Sequence, residues 1–458
     1  MISIRTVSTF ILAPALAGIC AFAAVPAIAW LYDDVAVASF TLLQTSAILV
    51  TTAFSLQLDQ AFAREFHEVP ARGTLFAACV LPGLLIHALF FVSVAVHGLV
   101  TQEPSWAVGA ALIGASSIHC TNLSLLSKRM EGDRLAYVIN LIGPKIILLA
   151  AVLLGAIFHA NIASVYLAAS LASAVVSVYS SRMYWKDLSI LALKTIRPLL
   201  KLSLPLVPAT MLFAAIPVID RYAVLWLSGE ASVAAYSMAS NVAGLASLGA
   251  AVFGAIWTPA LYKWAAADKA EAMVREVSKL LPLGLAAGFL LIGCAAYVVP
   301  LILPPSYADI KYYIPAAAAY PLLFIASEVT GCGIGISRRT AYAFLPALLA
   351  LAVGLSLHLV LTSSYGAPGA ATASAVGYFI FFIARTELSN FVWRRFKNAK
   401  LYIVAVACVA WSAYVALWLP KSADVMIILG LTIIALVSLI TTWSSVLHVV
   451  RLVSWYAK

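Results

Sequence analysis

Apolar residues recur along this chain in long, nearly unbroken runs, separated by short clusters of polar residues, proline and glycine. A helix needs about 20 apolar residues to cross a hydrocarbon core, and the runs are of that order. Fourteen are predicted, over 7–31, 35–62, 74–100, 106–127, 135–158, 162–181, 202–227, 233–261, 280–303, 314–336, 343–362, 370–388, 401–419 and 425–447. Several hold prolines, among them Pro205, Pro208 and Pro217. In a membrane bundle such prolines read as kinks, because neighbouring helices and waters re-satisfy the freed carbonyls.

Composition turns that pattern into a solvent assignment. Of the 458 residues, 64% are hydrophobic and only 10% are charged, against about 45–50% and about 25% in soluble domains. So few charges cannot cover a water-soluble globule of this size, so the solvent for most of the chain is lipid. The segment "AFAAVPAIA" after Arg5 imitates a signal-peptide cleavage site, but the apolar run around it is too long for one and reads as a retained first span. The six cysteines, 20, 79, 120, 294, 332 and 408, all lie in apolar runs with no CxxC spacing. They read as small hydrophobes, and neither a metal site nor a cofactor is called for.

Charge orients the spans. With the N-terminus inside, all but four of the 28 lysines and arginines fall on the inner side. Lys311 and Lys421 fall outside, and Lys145 and Arg221 lie within spans. One missed helix would scramble this bias, so both termini are expected in the cytoplasm. The formal charge of +10 then belongs to the inner membrane surface and not to nucleic acid. Segments 182–201 and 262–279 are long enough to lie on that surface as amphipathic helices.

The chain also repeats itself. "VASFTL" (Val37 to Leu42) matches "VAAYSM" (Val233 to Met238), each opening the second helix of a set, and "RLAYV" (Arg134 to Val138) matches "RTAYA" (Arg339 to Ala343), each opening the fifth. Two six-helix bundles in the same orientation follow, related by an axis along the membrane normal. The expected organisation is 1–201, a bundle with an amphipathic connector; 202–400, a second bundle; and 401–458, helices 13 and 14 with a tail. This is an all-α polytopic transporter architecture with a substrate site near the membrane midplane.

The candidate chemistry lies in charges that lipid does not tolerate. An ionised group at a bilayer centre costs a few kcal/mol by the gentlest scale. Asp220 and Arg221 are adjacent, so about 100° of helix separates them; each needs something from another helix or a ligand. Arg221 either snorkels outward or lines a cavity. Lys145, near midplane, lines a cavity or pairs with an acid such as Glu328. Glu328 is an ion-coupling carboxylate or that partner. Arg64 sits at the cytoplasmic mouth or pairs with Glu68, and Asp59 lies near the inner end of helix 2. His87, His119 and Asn122 fall mid-span, where interhelical hydrogen bonding is the expected role; Asn241 is a further polar candidate. The glycines of "GCGIGISRR" (Gly331 to Arg339) lack the phosphate-loop pattern and read as close helix packing.

At this point the sequence resembles a known family. "LDQAFAREFHE" (Leu58 to Glu68), "IDRY" (Ile219 to Tyr222) and "AAYSMASNVAGLASLGAAVFGAIWTPALYKW" (Ala234 to Trp264) resemble the Wzx-type polysaccharide flippases of the multidrug/oligosaccharidyl-lipid/polysaccharide exporter superfamily. The resemblance runs over the whole chain in a six-plus-six-plus-two layout. It implies alternating access in the bacterial inner membrane, moving a polyprenyl-diphosphate-linked oligosaccharide, such as an O-antigen repeat unit on undecaprenyl diphosphate, to the outer leaflet. Its implied partners are the lipid bilayer and a polysaccharide polymerase with its chain-length regulator. Positions that match a charged lumen for diphosphate and sugars are Lys145, Arg221, Arg64 and Asp220, with Glu328 or Asp220 for ion coupling.

Two rivals share the superfamily. A drug or cation antiporter usually has twelve helices and often an acid deep in the first, whereas helix 1 here has none. A lipid II flippase also has fourteen. An enzyme acting on lipid-linked sugars needs a sizeable outer loop, and the longest outer connection predicted here is 304–313.

Overall fold

The computed structural model describes residues 4–69, 71–102, 106–185, 193–337, 339–419 and 425–456. Among them there are helices and turns and no strand. The chain divides into two compact units, 1–218 and 219–458.

The first unit holds α1 (Ile4–Leu31), α2 (Asp34–Phe54), α3 (Leu58–Glu65), α4 (Arg72–Thr101), α5 (Trp106–Glu131), α6 (Arg134–Ile157), α7 (Ile162–Ser180), the short α8 (Arg182–Trp185) and α9 (Leu193–Ser203). Asp33, Asp133 and Asn161 cap α2, α6 and α7 by accepting from Ala36, Ala136 and Ala163 backbone amides, each satisfying one orphan donor of a helix start. Next comes α10 (Val207–Ala243), within which the division between units falls.

The second unit continues with α11 (Ala246–Ala266), α12 (Ala270–Ala296), α13 (Val299–Ile302), α14 (Ile314–Ala317), α15 (Ala319–Thr330), α16 (Cys332–Ile336), α17 (Phe344–Leu357), α18 (Ser363–Tyr365), α19 (Ala367–Val392), α20 (Ala399–Trp418) and α21 (Val425–Tyr456).

Twelve described helical stretches are long and apolar enough to cross a membrane, or thirteen with the bent pair Pro305–Tyr312 and Ile314–Thr330, which turns by 63°. One of the twelve, Ile196–Ala250, has 55 residues, about 80 Å of helix. It is interrupted at Gly229 (φ 77°, ψ −179°), a conformation open to glycine.

The same neighbour pattern recurs inside each unit. In the first, α2, α4 and α7 pack on α5, and α6 packs on α7. In the second, α11, α12 and α19 pack on α15, and α17 packs on α19. These are the second, third and sixth helices against the fourth, and the fifth against the sixth. Large apolar side chains such as Leu99, Trp226, Leu301 and Ile440 stand exposed, the surface that a bilayer covers.

Several boundaries differ from the sequence reading. The second span, expected to run from 35 to 62, ends at Phe54. Leu56 and Gln57 then adopt left-handed backbone before α3, which places Asp59 in a separate short helix. Burial of Leu58, Phe62 and Phe66 among Phe76, Leu123, Ile196 and Leu199 holds this turn. The same cluster seats α9, the described end of the connector; 186–192 lie outside the described residues. Segment 262–279 is no surface helix, because 270–279 are the first turns of α12 itself.

At one end of the first unit, Lys128 is buried and donates to Glu131 at 2.8 Å. The Tyr184 hydroxyl also donates to Glu131, and the Tyr184 ring stacks on Phe76. Burial, then the Glu131 carboxylate, push the Tyr184 hydroxyl well above its ordinary value, so it stays a donor and ties α8 to α5.

Candidate functional site

Among the described residues, Asp220 in the second unit and Lys145 in the first are the charges of most interest for a site. In the second, the first leg of α10 carries Asp220, which is 4% exposed. Its Oδ1 lies 3.1 Å from His358 Nε2, and its Oδ2 accepts from Ser374 Oγ at 2.7 Å. The Tyr236 hydroxyl reaches Oδ2 at 3.4 Å and pairs with Ser374 Oγ at 2.9 Å. A buried carboxylate costs several kcal/mol of desolvation, and hydrogen bonds to a charged acceptor offset about 1.5–3 kcal/mol each.

His358 is placed by a backbone irregularity. Residues His358–Thr362 form a π turn between α17 and α18, a feature frequent at functional sites. The turn brings Thr362 Oγ1 to 2.8 Å from His358 Nδ1, and Ser228 Oγ donates to the Thr362 carbonyl at 2.7 Å. Gly369 lets α19 close on it: a Cβ there would sit 2.0 Å from the Leu361 carbonyl oxygen. Asp220, His358 and Thr362 thus form a continuous hydrogen-bonded chain in an apolar surround. Arg221, 8% exposed, lies with its guanidinium 5.9 Å from the centre of the Tyr236 ring. It is buried within the unit, where the outward-snorkelling reading would leave it exposed.

In the first unit, Lys145 lies midway along α6 and is half-buried. Among the described residues it makes no ion pair and no hydrogen bond. Pro144 precedes it and removes the amide that would bond the Asn140 carbonyl. Asn140 itself is buried and saturated: it donates to Ala136 O and Ser180 Oγ, and accepts from Ser124 Oγ. Neutral polar groups here are tied off while the one cation is not.

The remaining candidates separate. Glu328 is not the partner of Lys145: Arg385 holds it at 2.6 Å. Arg385 also donates to Ser327 Oγ at 2.9 Å and lies over Phe324 and Phe381. Arg64 is exposed and, among the described residues, does not pair with Glu68. It lines a groove of about 580 Å³ with Glu65, Pro198 and Lys201. Asp59 Oδ2 accepts from Gln60 at 3.2 Å. His119 Nε2 lies 3.1 Å from the Val80 carbonyl, an interhelical bond as expected, and the His87 ring meets His119 and Phe54 edge-on. Asn122 is exposed; its neighbour Thr121 makes the interhelical bond, to Ser177 at 2.8 Å. Asn241 is half-buried beside the break at Gly244.

Sequence reasoning missed His358, Thr362, Ser374 and Arg385. A histidine alone in the apolar run 343–362 is the signal that marked His358. Nothing in the sequence marks a π turn. The glycines of 331–335 do serve close packing: a Cβ at Gly331 would lie 2.8 Å from Arg385, and at Gly333 2.6 Å from Ser389 Oγ. Among the described residues, no group of three or more His, Cys, Asp or Glu is placed to hold a metal ion.

No family model matches the chain, and no curated protein matches it. Solved structures do. The lipid II flippase MurJ in its inward closed conformation superposes with a TM-score of 0.71 at 13% identity, covering 97% of this chain and 100% of that one. An inward-facing multidrug resistance MATE family transporter of the MOP superfamily gives 0.54 at 15%, covering 82% and 94%. A Vibrio cholerae MATE transporter gives 0.57 at 15%, covering 84% and 97%. At such identities the likeness is one of fold, and the fold is the polytopic all-α one that these transporters share.

Proposed function

We propose that the protein is a flippase of the bacterial inner membrane that moves a polyprenyl-diphosphate-linked oligosaccharide outward by alternating access. The observation that carries this reading is Lys145: a half-buried lysine in the middle of an apolar helix, with no acid among the described residues to pair it. Such a cation costs about 2.5–3.5 kcal/mol at a helix centre, which a passing diphosphate would offset. Arg221 and Arg64 are the further cations that this reading assigns to the substrate anion. Near-complete coverage by a lipid flippase structure supports the lipid-linked substrate class. Outward movement of each negative charge gains about 2.3 kcal/mol per 100 mV of inside-negative potential.

Coupling would run through Asp220 and His358 and not through Glu328, which Arg385 already neutralises. This same pair favours a second reading, a drug or cation antiporter; a lipid II flippase is the third.

The test is export in a deletion strain complemented with Lys145→Met and Lys145→Arg. The methionine variant should insert, fail to export and accumulate lipid-linked saccharide, and the arginine variant should restore part of the flux. Normal export by Lys145→Met would refute the reading. For coupling, His358→Gln should slow export driven by an imposed proton gradient, and an unchanged rate would remove that role.

A further inference from the structure

We infer that the second unit carries a binding site for the phosphodiester headgroup of an anionic glycerophospholipid, at the polar end of α12, α20 and α21. A cavity of about 710 Å³ opens there. Three of its walls are the helices themselves, which pack on one another; the fourth is the turn 393–398 that leads into α20.

The lining is basic. Arg275 and Lys279 come from α12, and Arg395, Lys397 and Lys400 from the turn and the start of α20. Glu271 and Glu276 partly neutralise the first two, at 2.8 Å and 2.6 Å. Among the described residues no acid pairs Arg395, Lys397 or Lys400; Lys400 Nζ donates only to the Thr441 carbonyl, at 3.1 Å. The charge bias across the membrane accounts for cations on this side. It does not account for their convergence on one cavity.

Two neutral groups point more directly to a ligand. Asn398 lines the cavity and is 7% exposed; its buried side-chain Nδ2 makes no hydrogen bond of good geometry, although it interacts with the Tyr402 hydroxyl. Ser278 lines it from the opposite wall, and its Oγ is buried and unpartnered. Native proteins rarely leave buried donors unmade, and each one costs about 1–3 kcal/mol. Asn398 also stands at the N-cap position of α20 without capping it, so the first amides of a twenty-residue helix face the same space. The first amides of α20, the unpartnered Ser278 hydroxyl and the unpaired cations together ask for an acceptor-rich anion, which phosphate oxygens supply.

The surroundings select a lipid as the source. The cavity floor includes Pro282 and Leu401. Just beyond its mouth, Ile403 on α20 and Val437 and Ile440 on α21 are 68%, 53% and 74% exposed, a surface for acyl chains. A headgroup held here would clamp the turn between α19 and α20.

The test is native mass spectrometry of the full chain in detergent, titrated with dioctanoyl phosphatidylglycerol, dioctanoyl phosphatidylcholine and inorganic phosphate. Phosphatidylglycerol should bind and phosphatidylcholine should not. The double variant Lys397→Gln/Lys400→Gln and the isosteric Asn398→Asp should each weaken phosphatidylglycerol binding at least tenfold, and Arg129→Gln, in the other unit, should leave it unchanged. Undiminished binding in both site variants overturns the site. Inorganic phosphate that binds as tightly and displaces the lipid overturns the lipid as its ligand.

Discussion

Asp220 in the second unit and Lys145 in the first are accommodated in opposite ways. In the second, Asp220 is enclosed by His358, Ser374 and Tyr236, so its oxygens are accounted for. In the first, Lys145 stands half-buried with no such enclosure. A saturated charge contributes to holding a structure together, whereas an unsaturated one is a standing cost that only a visitor relieves. Stability and transport are therefore expected to respond to the two sites in opposite senses.

Removing the enclosed charge has the largest expected effect. Asp220→Ala leaves His358 and buried Arg221 without their anionic neighbour, and losing one partner of a buried pair costs about 3–5 kcal/mol. The melting temperature in detergent should fall sharply; an unchanged melting curve would show that the network is not structural. Lys145→Met should do the reverse, raising stability by up to about 3 kcal/mol in the same assay while export is lost. A melting temperature that falls instead would mean that Lys145 has a partner, and the contrast between the units would collapse.

A smaller effect tests how the second site is built. Gly369→Ala pushes a methyl into the Leu361 carbonyl and should cost about 1–3 kcal/mol by overpacking. Coupled flux should drop more than stability does, because the displaced turn carries His358. The least effect belongs to Glu328→Gln. Its pair with Arg385 is about a quarter exposed on each side, so its loss should cost at most about 1 kcal/mol, with transport unaffected. A large transport defect there would return Glu328 to the list of coupling groups.

The spans and the isolated charges were legible in the sequence because both are set by hydropathy, which sequence states directly. Lys145, Asp220 and Arg221 stood out since lipid admits no casual ion. The partners were not legible. Ser374 lies in "ATASAVG", where a hydroxyl among alanines carries no mark. Arg385 counts in the sequence among the inner-side cations, and nothing there marks its pairing with Glu328 and Ser327. The breaks at Leu56 and Gln57 escaped because tertiary burial of Leu58 and Phe62 imposes them, against a local cost of about 1–2 kcal/mol per left-handed residue.

The π turn at His358–Thr362 stores one residue more than an ordinary helical turn would. Passing that surplus one step along the rod rotates whatever lies between its old and new positions by about 100°, without unfolding either end. Were the surplus to shift, the contact between His358 and Asp220 would be made and broken by screwing a helix and not by bending it. Crosslinking cysteines placed on either side of the turn would freeze that screw in a single pitch.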